Sequence, residues 1–67
     1  MKSVSGKKLA KILERNDWTL VDINGSHFKY WKENKIIILP IHANRDMRIG
    51  TLKSIMKQAN LTEEDLI

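Results

Sequence analysis

Trp18-Thr19-Leu20-Val21-Asp22-Ile23-Asn24-Gly25-Ser26-His27-Phe28-Lys29-Tyr30-Trp31-Lys32 is the stretch on which the fold turns. Its first six residues are rich in β-branched and aromatic side chains, which suit a pleated, half-buried surface. Asn24-Gly25 is a strong hairpin signal, because both residue types tolerate positive φ. Ser26 to Lys32 then returns as a second strand. Glu33-Asn34-Lys35 turns the chain again, and Ile36 to Ile41 supplies a third strand. The unbroken apolar character of that strand predicts a central or doubly covered position. Pro40 has no N–H to give to a ladder, so the far end is expected at an edge or a terminus.

Helices are expected on both sides of this meander. Ser5 can cap a helix, with Val4 and Leu9 in the positions of a hydrophobic staple. Leu9, Ile12 and Leu13 follow at helical spacing, and Asn16 is expected to end the helix in the left-handed conformation. Ala43 to Arg48 reads as polar loop. From Ile49 or Gly50 a second helix reaches Ala59, with Leu52, Ile55, Met56 and Ala59 on one face and Asn60 at its end. Leu61 to Leu66 resembles a further capped turn. The order predicts an α+β fold, α-β-β-β-α, in which a three-stranded antiparallel sheet carries two helices on one face. Double-stranded RNA-binding domains have this arrangement.

With 67 residues there is room for one domain, taken as 1–67, and one modest core. The absence of cysteine removes disulfides, zinc–thiolate sites and thiol nucleophiles. The formal net charge of +4 is unevenly spread. Lys2, Lys7, Lys8, Lys11 and Arg15 face only Glu14 in the first fifteen residues. Lys35, Arg45, Arg48, Lys53 and Lys57 face only Asp46 between residues 35 and 60. If the two basic segments fold together they form a positive face suited to nucleic acid or an acidic protein. A merely solubilising surface would carry similar charge. The longest apolar run is too short to span a bilayer, and Met1-Lys2-Ser3 is followed by polar sequence, so the expected location is cytoplasmic.

His27, entering the second strand, is the natural proton-transfer group, since imidazole titrates near neutral pH with an ordinary pKa of about 6.5. An ordinary surface histidine would look the same. Lys29 follows at period two and shares its face, which makes it the first choice for a phosphate contact. Asp22 is directly across from His27 if Asn24-Gly25 forms a two-residue turn, and could then fix its tautomer. A three-residue loop instead sets Asp22 against Phe28 and Leu20 against Tyr30. The two-residue register gives the neater apolar face. Ser26 could contact a phosphate or simply close the turn, and Gly25 is explained by positive φ. Lys53 and Lys57 could hold an RNA backbone, although the wet face of an amphipathic helix needs no such role. Trp31 is the aromatic residue expected to remain exposed. His27 and His42 lack the companions of a usual metal site.

Several of these segments resemble the HicA family of small toxins, also called YcfA-like proteins. They are Ser5 to Glu14, Asp17-Trp18-Thr19-Leu20-Val21, Gly25-Ser26-His27, Leu39-Pro40-Ile41-His42 and the helix from Gly50-Thr51-Leu52-Lys53-Ser54-Ile55 to Ala59. The resemblance covers nearly the whole chain. It implies an RNA endonuclease (mRNA interferase) toxin acting mainly on messenger RNA and silenced by a HicB-like antitoxin. The lack of cysteine and of a carboxylate cluster adds the expectation that it is metal-independent, and the small size that it takes no cofactor. The family's essential histidine maps onto His27. Phe28 stands where many relatives have a second histidine, Asn60 replaces a usual glycine, and Ala43 a frequent one. In this reading His27 is catalytic, Lys29, Lys53 and Lys57 bind RNA, and Gly25, Ser26 and Asp22 support the site. The rivals are a non-catalytic RNA-binding module and a degenerate toxin that only binds its antitoxin.

Overall fold

The computed structural model describes residues 2–67. Their elements run α1 (Gly6–Arg15), β1 (Thr19–Asn24), β2 (His27–Lys32), β3 (Lys35–Pro40) and α2 (Ile49–Ala59), followed by a 3-10 turn at Glu63–Leu66. The strands form one antiparallel sheet in the order β1-β2-β3. This is the expected α+β order. The inward side chains Tyr30, Ile37 and Leu39 pack with Leu9, Ile12 and Leu13 of α1 and with Leu52, Ile55 and Met56 of α2. Among the described residues, the opposite face of the sheet carries no helix.

Local chemistry explains the helix ends. The Ser5 hydroxyl accepts a hydrogen bond from the Lys8 amide at 3.1 Å, and Val4 and Leu9 are both buried, as a staple requires. Asn16 does not take the left-handed conformation (φ −103°); Asp17 does (φ 70°), while the Asn16 side-chain amide donates to the Ile12 carbonyl at 2.8 Å. The Asn16 side chain thus closes the helix end, and the backbone reversal falls one residue later. Asn60 ends α2 with φ 57° and ψ 41°. Thr62 and Asp65 form a capping box at the last turn.

The first hairpin follows neither expected register throughout, although the Leu20–Tyr30 pairing of the three-residue alternative is present. Gly25 and Ser26 form the β1–β2 turn, Asn24 pairs with His27, and Asp22 stands opposite Lys29. Gly25 has φ 62° and Ser26 has no positive φ, the pattern of a turn with glycine at its first central position. The turn is therefore one residue later than Asn24-Gly25. A bulge at Val21 then shifts the ladder, so that Leu20 opposes Tyr30. The bulge returns Leu20 to the helix-facing side; unbroken pairing would have turned it outward. The second hairpin is a two-residue turn with positive φ at both Glu33 (47°) and Asn34 (65°).

The third strand also corrects its expectation. β2 is central, and β3 is an edge strand covered on one face only. Ile37 and Leu39 are buried, whereas Ile36 and Ile38 are half exposed. Apolar residues on both faces of β3 mimic a doubly covered strand, but among the described residues α1 and α2 cover one face of the sheet alone. Pro40 is the last residue of β3, where its missing donor costs nothing.

Candidate active site

His27 opens β2 and is exposed on the uncovered face of the sheet. Its cross-strand neighbours are Asn24 on β1 and Pro40 on β3. Lys29 is two residues along the same face, about 7 Å by strand rise. It is half buried between Asp22 and Ile38. Asp22 is thus the neighbour of Lys29 rather than of His27, and the support for an orienting role that came from the other register is removed. Ser26 contributes its carbonyl, which accepts the Ile41 amide at 2.8 Å. A Cβ on Gly25 would meet nothing within 4 Å, so its positive φ, not crowding, calls for glycine.

That Ser26–Ile41 bond ties the hairpin to the loop that follows β3. The loop is itself pinned to the N-terminal segment by the Ser5–Asp46 bridge and by the Met47 amide, which donates to the Val4 carbonyl at 2.8 Å. Lys7 donates to the Asn44 side-chain oxygen at 3.3 Å. A cleft of about 430 Å³ opens there, lined by Pro40, His42, Arg45, Asp46, Met47, Arg48 and Thr51. One pole of the molecule therefore gathers His27, His42, Lys7, Arg45 and Arg48. The α2 amides that begin just beyond Arg48 have no acidic residue in their first turn, which keeps the local field positive.

Of the two α2 lysines, Lys57 sits elsewhere. Lys53 is exposed on α2, and Lys57 borders a groove with Trp18, Lys35, Ile36 and Ile37. Lys35 begins β3 and Pro40 ends it, so Lys57 is near the end of the sheet remote from His27, about 16 Å away by strand rise. From sequence, the arginines at the histidine pole, Arg45 and Arg48, belong to a polar loop and to the basic segment of residues 35–60, with nothing in the spacing that sets them beside His27. A usable signal existed: in a meander the end of the third strand must lie beside the start of the second.

The arrangement offers an exposed imidazole, a flanking ammonium on the same face and a cluster of guanidinium groups at one pole. It suits proton transfer on a substrate held by anionic groups. Among the described residues no three His, Asp or Glu side chains come together as metal ligands, and no helix is long and apolar enough to cross a membrane.

A family model described as the HicA toxin of bacterial toxin-antitoxin matches residues 6–61. That span starts at the first residue of α1 and ends just beyond α2, taking in the whole sheet and the histidine pole. Among curated proteins no significant match is found. The matched span is most of the sequence, and the chain belongs to the HicA toxin family.

Proposed function

We propose that residues 1–67 act as one domain, a metal-independent endoribonuclease toxin that cuts messenger RNA in the cytoplasm until a HicB-like antitoxin binds it. The observation that carries this reading is the placement of His27. It is exposed at the end of the central strand, in line with Lys29 and beside the Arg45–Arg48 pole. In the proposed reaction the 2′-hydroxyl oxygen attacks the adjacent phosphorus and the bond to the 5′-oxygen breaks. His27 moves a proton at one of those oxygens. Lys29 and the arginines offset the charge that grows on the phosphoryl oxygens. Lys53 and Lys57 serve flanking phosphates at a distance from the chemistry.

The products test the scheme. Attack by the 2′-oxygen leaves a 2′,3′-cyclic phosphate or a 3′-phosphate and a free 5′-hydroxyl. Because His27 and the basic side chains supply the proposed proton transfer and charge stabilisation, cleavage should continue in excess EDTA. Products ending in 5′-phosphate, or cleavage abolished by chelator and restored by added magnesium, would contradict it.

A further inference from the structure

One aromatic ring stands on the uncovered face of the sheet. Trp31 is 44% exposed, whereas its neighbour Tyr30 is fully buried and Trp18 is sealed in the core. His27, Lys29 and Trp31 occupy alternate positions of β2 and so share this face. Strand geometry spaces them by about 7 Å per step, on the scale of one extended nucleotide. On β3, Ile38 pairs with Lys29 and Ile36 with Trp31. These isoleucines are 48% and 47% exposed and widen the tryptophan into an apolar strip. The strip therefore leads from an aromatic platform, past an ammonium, to the imidazole and the arginine pole.

We propose that this uncovered face is a platform for single-stranded RNA, with Trp31 stacking on a base about two nucleotides from the phosphate held at His27. The proposal rests on the reading of His27 as the proton-transfer group. Charge selects the occupant: the strip joins Lys29 to the Arg45–Arg48 pole, and its acids, Asp22 beside Lys29 and Asp46 between the arginines, are outnumbered by Lys29, Arg45, Arg48 and Lys7. A polyanion with flat, stackable faces satisfies both ends at once. Single-stranded RNA can splay a base onto an indole, whereas the bases of a duplex are already stacked on one another. Ile36 and Ile38 rim the stacked base and exclude water from it. Lys29, between the two sites, meets the intervening phosphate.

The test uses a short unstructured RNA of mixed sequence, its duplex with the complementary strand, and proteins carrying His27→Ala so that the RNA survives titration. Adding Trp31→Ala should weaken single-strand binding tenfold or more, while Trp31→Phe retains most of the affinity. The slope of affinity against salt should not change, because stacking neutralises no phosphate. The duplex should bind more weakly than the single strand. Circular dichroism and melting establish that each variant is folded, which the exposure of Trp31 favours. Unchanged single-strand affinity in folded Trp31→Ala protein overturns the platform, as does equal affinity for the duplex. Loss of antitoxin binding with RNA affinity intact would also overturn it and assign the face to a protein. Wild-type protein that binds single-stranded RNA through Trp31 but never cuts it would leave the platform standing and remove the role of His27.

Discussion

Pro40 is the cross-strand partner of His27, and its carbonyl oxygen would be only 2.9 Å from a Cβ placed on Gly6. The first residue of α1 therefore meets the last of β3, whose ladder partner opens β2, in a close backbone contact. Ile41 adds to it from the same side, with its Cα 3.1 Å from that position. Backbone cannot move aside as a flexible side chain does, so the contact sets how closely α1 approaches the sheet.

Gly6→Ala should destabilise the protein by about 1–3 kcal/mol, the usual cost of forcing extra volume into a packed site. The midpoint of urea unfolding measures it. Cleavage should fall as well, because relief of the clash displaces Pro40 and the loop behind it. A variant as stable as wild type would show that α1 approaches less closely than this.

The buried hydroxyl of Tyr30 donates to the Glu14 carboxylate at 2.9 Å. Burial and the neighbouring carboxylate both push the phenol above its ordinary range. The unfolded chain releases this proton at pH about 10, so the stability that the protonated phenol contributes is fully present below that and falls away as pH rises beyond it. Tyr30 is the single tyrosine, so phenolate absorbance reports it alone. That absorbance should rise only together with unfolding, and Tyr30→Phe should lose less stability over the same alkaline interval. At neutral pH the phenylalanine variant should be less stable by about 1 kcal/mol. Phenolate forming near pH 10 in a folded protein would contradict this.

The basic residues should separate into two groups. Arg45→Gln with Arg48→Gln should lower cleavage and flatten the salt dependence of RNA binding by up to about two phosphate contacts. Lys53→Gln with Lys57→Gln should flatten it comparably but affect the rate much less, given the placement of Lys57 beside Lys35. Affinity against salt, measured alongside cleavage of the same RNA, checks both pairs. A larger loss of rate from the lysine pair would contradict the geometry.

Sequence periodicity carried the element order, since helix caps at Ser5 and Asn60 and the apolar stripes of α1 and α2 are local signals. It carried the exposure of Trp31 as well. Register was not legible. Asn24-Gly25 and Gly25-Ser26 are both good turns, and the bulge at Val21 shifts the ladder within a strand whose residues are all exposed, so no burial pattern announces it. The edge position of β3 was hidden because Ile36 and Ile38 look like core residues, and their exposure depends on how many helices cover the sheet. Arg45 and Arg48 were legible as part of a basic segment but not as neighbours of the His27 end, because that nearness comes from pairing across the sheet rather than from sequence spacing.

The proton-transfer role of His27 is tested most directly by His27→Ala, with RNA affinity and RNA cleavage measured on one preparation. His27 is an exposed strand residue, so the alanine protein should fold and melt close to wild type. Its affinity for RNA should be nearly unchanged, because one strand histidine adds little to a footprint of many charges. Its cleavage rate should fall a hundredfold or more, the usual cost of losing a proton-transfer group. Growth arrest on expression without antitoxin should disappear with it. A folded His27→Ala protein that cuts RNA and arrests growth as wild type does would contradict the account.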